Sequence, residues 1–99
     1  MNDVKVFKMI NGEEIIAELF LWKDGLYELK NPAQIVLQRS DKGMGVAIAP
    51  YMPYADGNVT LYKNAIAAEC KPDVNLVNEY NKIFGSGIQI APASVLATL

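Results

Sequence analysis

The chain contains no histidine, one cysteine and one arginine, and each shortage removes a class of chemistry. Without histidine there is no Ser-His-Asp or Cys-His catalysis, and a lone cysteine cannot complete the usual zinc ligand sets within one chain. Cys70 cannot form an intramolecular disulfide either, which fits a reducing compartment, and we expect it to be a buried strand residue. A glycine-rich phosphate loop of the P-loop or dinucleotide type is missing. No stretch approaches the ~20 apolar residues a membrane span needs. Met1-Asn2-Asp3 lacks the basic, then apolar, start of a secretory signal. Arg39 is the only arginine, and a formal charge of -2 argues against non-specific nucleic-acid binding, which rests on clustered cations neutralising phosphates. These absences lead us to expect a cytoplasmic protein that is not an enzyme and has no metal, cofactor or membrane partner. Any nucleic-acid site must then be local and shaped.

What the sequence does have is apolar surface. Of its 99 residues, 52% are hydrophobic. That suffices for one domain with a modest core, and the excess points to self-association. Val4 to Ile10 is apolar on both faces, with Val4, Val6 and Ile10 on one and Phe7 and Met9 on the other. A strand of that kind has to be covered on both sides. Asn11-Gly12 is expected to form a type I′ hairpin turn, because both residues tolerate positive φ. From Glu14 to Leu21 the alternation is clean, with Ile15, Ala17, Leu19 and Leu21 on the core face. Glu13 and Glu14, adjacent at the start of that strand, point to opposite faces and are not expected to share a proton or a metal.

Lys23-Asp24-Gly25 is a turn, and Leu26, Tyr27 and Leu29 form a third strand up to Asn31-Pro32, where proline marks an edge or a kink. Gln34 to Arg39, the polar turn Ser40-Asp41-Lys42-Gly43 and Met44 to Ala49 make a hairpin. The loop from Pro50 to Asn58 carries Tyr51, Met52 and Tyr54, which either pack on the chain's own core or contact a partner or a base. Leu61-Tyr62-Lys63-Asn64-Ala65-Ile66 is an apolar run interrupted by one basic and one amide side chain. We expect a tight bend there, joining two edge segments.

Asp73 is expected to cap a helix whose apolar stripe is Leu76, Val77, Tyr80, Ile83 and Phe84, with Asn75, Asn78, Glu79 and Lys82 outward. From Phe84 to Leu99 no side chain is charged. Disordered tails are usually polar and charged, so this one is expected to dock. The domain boundaries follow: a β unit over residues 1–72, a C-terminal helix over 73–85, and an apolar tail over 86–99 docked on its own barrel or on a neighbour.

Tyr62-Lys63-Asn64-Ala65-Ile66 resembles the second signature motif of the Sm-like (LSm) proteins, most closely that of their bacterial RNA-chaperone branch (Hfq), which has histidine where Asn64 stands. Phe7-Lys8-Met9-Ile10-Asn11-Gly12, followed by Ile15, Leu19 and Leu29-Lys30-Asn31, resembles the first motif. The Lys30-Asn31-Pro32-Ala33 segment and the Met-Pro-Tyr loop are similar to Sm-like proteins of marine phages (cyanophages). The resemblance implies an all-β fold, a small, strongly bent Sm-like (SH3-type) barrel, here with a C-terminal helix where many members place theirs first. It also implies a cyclic homo-oligomer, pentamer to heptamer, whose interface would use Val59, Leu61, Tyr62 and Ile66. Single-stranded uridine-rich RNA would bind at the pore through Lys63 and Asn64, with Trp22 and Tyr27 as stacking aromatics. Two features depart from the pattern. Ala17 stands where the family usually has a bend-permitting glycine, and Glu13 and Glu14 occupy the face where the bacterial branch binds adenine-rich RNA. Two alternatives stay open: Lys63 and Asn64 as an ordinary polar bend, and a homo-oligomeric interaction module that has lost RNA binding. A phage-encoded protein would act in the host cytoplasm.

Overall fold

The two-faced first strand is covered on both faces by the chain itself. A computed structural model describes residues 3–84. Gly85 and the expected docked tail, residues 86–99, lie outside the described residues. The strands are β1 (Val4–Met9), β2 (Glu14–Lys23), β3 (Leu26–Ser40), β4 (Gly43–Pro50), β5 (Val59–Tyr62) and β6 (Ile66–Cys70), followed by helix α1 (Val74–Phe84). They form one antiparallel sheet in the order β4-β3-β2-β1-β6, with β5 also paired to β3. Phe7 and Met9 face one core with Ile15, Ala17, Leu29 and Leu61. Val4 and Val6 face the second, where Ile16 and Ala33 lie beneath Tyr80 of the helix.

The sheet curls because β3 changes partners halfway. Leu26 to Leu29 pair with β5, whereas Ala33 to Ser40 pair with β4, both on the edge away from β2. Between them the ladder to β2 shifts register after Ile16, and Asn31 takes a left-handed φ of 51°. Asparagine tolerates that region better than most residues, and Pro32 has no N–H to leave unpaired. Of the edge or kink that the sequence leaves open at Pro32, the structure has the kink, inside one 15-residue strand. The freed carbonyls are taken up from above: the Tyr80 hydroxyl donates to the Asn31 oxygen at 2.8 Å, with the Lys30 oxygen at 3.1 Å beside it. The bend that glycine would permit in β2 is thus supplied by β3, and Ala17 stays fully buried.

Four further expectations are corrected. Asn11 does not adopt positive φ; Gly12 alone does, at 95°, and Met9 and Glu13 close a three-residue loop in place of the two-residue type I′ turn. The barrel is not closed. β5 pairs only with β3 and β6 only with β1, and the three-residue 3-10 turn Lys63–Ala65 runs directly between them without the two strands pairing. The fold is a mostly β, curled antiparallel sheet with one C-terminal helix. Cys70 is exposed, because it ends a strand that has a neighbour only on the β1 side. Ile83 is also exposed, since α1 settles on Leu76, Tyr80 and Phe84.

The helix start matches its sequence signal. Asp73 Oδ1 accepts the Leu76 N–H at 2.9 Å, satisfying one of the free donors of the first turn. Among the described residues no helix is long and apolar enough to cross a membrane.

Tyr80 generates the test of this architecture. Its side chain is 2% exposed. Tyr80→Phe keeps the ring but removes the hydrogen bond to the part-buried kink carbonyls, and a loss of about 0.5–1.5 kcal/mol in urea unfolding is expected. Asp73→Ala should cost about 1 kcal/mol. Burial, with the charge of Glu18 adding to it, pushes the Tyr80 phenol well above its ordinary 10.0. A folded-state value above the unfolded one means the contribution is intact below the unfolded value and lost as pH rises through the folded one. The alkaline fall in stability should therefore flatten in Tyr80→Phe; an unchanged profile and an unchanged urea midpoint would show that the hydroxyl is dispensable.

Candidate functional site

The 3-10 turn Lys63–Ala65 joins β5 to β6, two strands with one ladder partner each, and backbone bonds fix it on both sides. Tyr62 enters it extended, at φ −86° and ψ 132°, and the Ile66 N–H returns to the Lys63 carbonyl. The Lys63 N–H donates to the Gly25 carbonyl at 2.9 Å, tying the bend to the β2–β3 turn. Gly25 has φ 82°, a value that favours glycine. On the far side, the Ile10 N–H donates to the Ala65 carbonyl at 2.9 Å. The bend expected between two edge segments is present, and Lys63 and Asn64 are exposed on it.

Lys63 has a seat. Its Nζ lies 4.9 Å from the centroid of the Tyr27 ring, within range of a cation–π attraction. Tyr27 is 8% exposed and packs against Phe7, ring centroids 5.3 Å apart. Its hydroxyl sits 2.9 Å from both Glu69 carboxylate oxygens, donating to one at a time. Burial, then the hydrogen bond and negative charge of Glu69, raise the Tyr27 phenol above its ordinary value. Lys5 approaches Glu69 from the other side at 3.5 Å. The ring of Tyr27 thus supports Lys63 and fills the core, and of the two aromatics expected to stack, Trp22 is the exposed one, at 63%.

Trp22, Tyr27 and Lys63 line one cleft of ≈ 590 Å³, and Lys5 and Lys71 line it with them. Asn64 is not on its wall. Of the expected interface residues, Leu61 belongs to the first core, Ile66 packs against it and Val59 is half-buried, whereas Tyr62 is exposed. The acidic pair separates as expected. Glu14 pairs with Lys8 at 3.0 Å, and Glu13 accepts the Tyr51 hydroxyl at 2.9 Å. That bond, followed by burial, raises the Tyr51 phenol. Tyr51 packs on the first core, and Tyr54 is exposed.

Sequence reasoning passed over Lys5, Glu69 and Lys71. A signal for Lys5 was present, since it shares a strand face with Phe7. Glu69 reaches this face only because β6 pairs with β1 in a register that sets it opposite Phe7.

No protein-family model matches the chain, and no curated protein matches it.

Tyr27→Phe separates the ring from the hydroxyl. The seat under Lys63 and the packing on Phe7 remain while the bond to Glu69 disappears, so a cost of about 0.5–1.5 kcal/mol is expected in urea unfolding. A cost of several kcal/mol would place the hydroxyl, not the ring, at the centre of this cluster.

Proposed function

We propose that this chain is an Sm-like, ring-forming protein that binds single-stranded, uridine-rich RNA at Lys63 and Asn64. The observation that carries the reading is the bend itself, a three-residue turn held by backbone bonds at both ends that exposes one lysine and one asparagine. In an Sm-like assembly the subunits join edge strand to edge strand. β5 and β6 each have a ladder partner on one side only, which leaves backbone groups free for such pairing. Around a symmetry axis one Lys63 per subunit becomes a ring of cations that repel one another unless an anion enters. That arrangement favours a polyanion with regularly spaced phosphates. Asn64, with a donor and an acceptor, complements a uracil edge. The compartment is the cytoplasm, that of the host if the protein is phage-encoded.

A second reading keeps the oligomer and drops the RNA, making the chain an interaction module. The formal charge of -2 favours it, as does the exposed apolar face of the β3–β4 hairpin, where Leu37 pairs with Val46 beside Met44.

Titration of labelled oligo-uridine at low salt separates the two. Lys63→Ala should weaken binding sharply and lower the salt slope by roughly 0.7 for each phosphate it leaves without a cation. Asn64→Ala should mainly erode the preference for uridine, and Lys42→Ala, in the hairpin turn, should change little. Equal behaviour of Lys63→Ala and Lys42→Ala, or no binding by the wild type, leaves the interaction module. Tyr62→Asp should split the oligomer in light scattering; an unchanged mass removes Tyr62 from the interface.

A further inference from the structure

Trp22 is the only tryptophan of the chain, and it stands mostly exposed near the end of β2. Large aromatic side chains gain most when buried, so an indole left open in a cleft offers unspent binding surface. Leu19 and Val77 supply apolar wall around it, and the ≈ 590 Å³ volume is that of a small-ligand site. The charge on the wall is uneven. Lys5, Lys63 and Lys71 face Asp3 as the one acidic residue of the lining. Glu69 answers Lys5 and the Tyr27 ring underlies Lys63, whereas Lys71 makes no ion pair among the described residues. An apolar aromatic slot beside ammonium groups separates two demands, one for a flat uncharged face and one for an anion.

We infer that this cleft holds a nucleotide unit, its base against Trp22 between Leu19 and Val77 and its phosphate at Lys71 and Lys63. The ligand class rests on the RNA reading proposed above, and the site extends that reading away from Asn64 toward the start of the helix. Lysine, a compact point charge, suits phosphate without demanding one geometry. Base stacking on an aromatic tolerates any base. The cleft therefore adds affinity and length to the bound strand, while Asn64 carries the preference for uridine. An acidic peptide would satisfy the lysines but would leave the indole slot without its planar partner.

Because Trp22 is the sole tryptophan, its fluorescence reports this cleft alone in the full-length protein. Uridine monophosphate and oligo-uridine should quench it saturably, whereas uridine without phosphate should quench far more weakly. Lys71→Ala should weaken the oligo-uridine titration several-fold and lower its salt slope. Trp22→Ala, followed by the anisotropy of labelled oligo-uridine, should lose about tenfold in affinity without changing the preference for uridine over adenosine. Both residues are exposed, so the fold is not at risk in either variant. Oligo-uridine binding that depends on Lys63 but leaves Trp22 emission and the Lys71→Ala affinity unchanged overturns the cleft and spares the bend. Quenching by the mononucleotide that survives Asn64→Ala and needs Lys71 supports the cleft even where the uridine preference at the bend fails. Quenching by a poly-glutamate peptide and not by nucleotides assigns the cleft to an acidic partner and overturns the proposal.

Discussion

The hydroxyl of Tyr80 on the carbonyls of Lys30 and Asn31 is the interaction on which the architecture turns. A strand that kinks inside a sheet turns backbone acceptors away from the ladder, and a donor that meets them there holds the kink in place. Here the donor comes from a helix that also closes the second core with Leu76 and Phe84. Tyr80 and Phe84 lie against each other, centroids 5.0 Å apart, so the donor is held in place by packing. The kink lets β3 serve β5 with one half and β4 with the other. Without it β5 would have no edge to join, and the bend at Lys63 would lose its footing on Gly25.

The site inherits its geometry from that arrangement. β5 reaches Lys63 beside the β2–β3 turn, β6 leaves it along β1, and the two directions fix the lysine over Tyr27. Glu69 arrives in the same register and ties Tyr27 to Lys5, so Lys5 and Lys63 rest on one connected set of interactions. A chain with net negative charge can still gather cations in this way, because local register decides which lysines meet.

Some of this was legible from the sequence, and the reasons differ by element. Asp73 and the spacing of Leu76, Tyr80 and Phe84 act within one helix, where local rules suffice, and the two-faced pattern of β1 needs only its own alternation. The bend at Lys63 was marked by two polar residues between short apolar runs. At Pro32 the sequence left an edge or a kink open, and it could not choose the kink because the residue that supports it, Tyr80, is distant in sequence. Cys70 was misread for a related reason: whether the last strand of a sheet is covered depends on what stands beside it, not on its own composition. Lys71 escaped notice since nothing local distinguishes it from a solvated lysine. Ala17 shows the reverse case, a residue that argued against a bend which a different strand provides.

An assembly that binds RNA as one unit is the central claim, and native mass spectrometry of the full-length protein with one short oligo-uridine tests it most directly. The expected result is a single closed species of about five to seven chains carrying one RNA, as the Sm-like resemblance implies. A monomer, or a ring that stays free of RNA at low ionic strength, would contradict it.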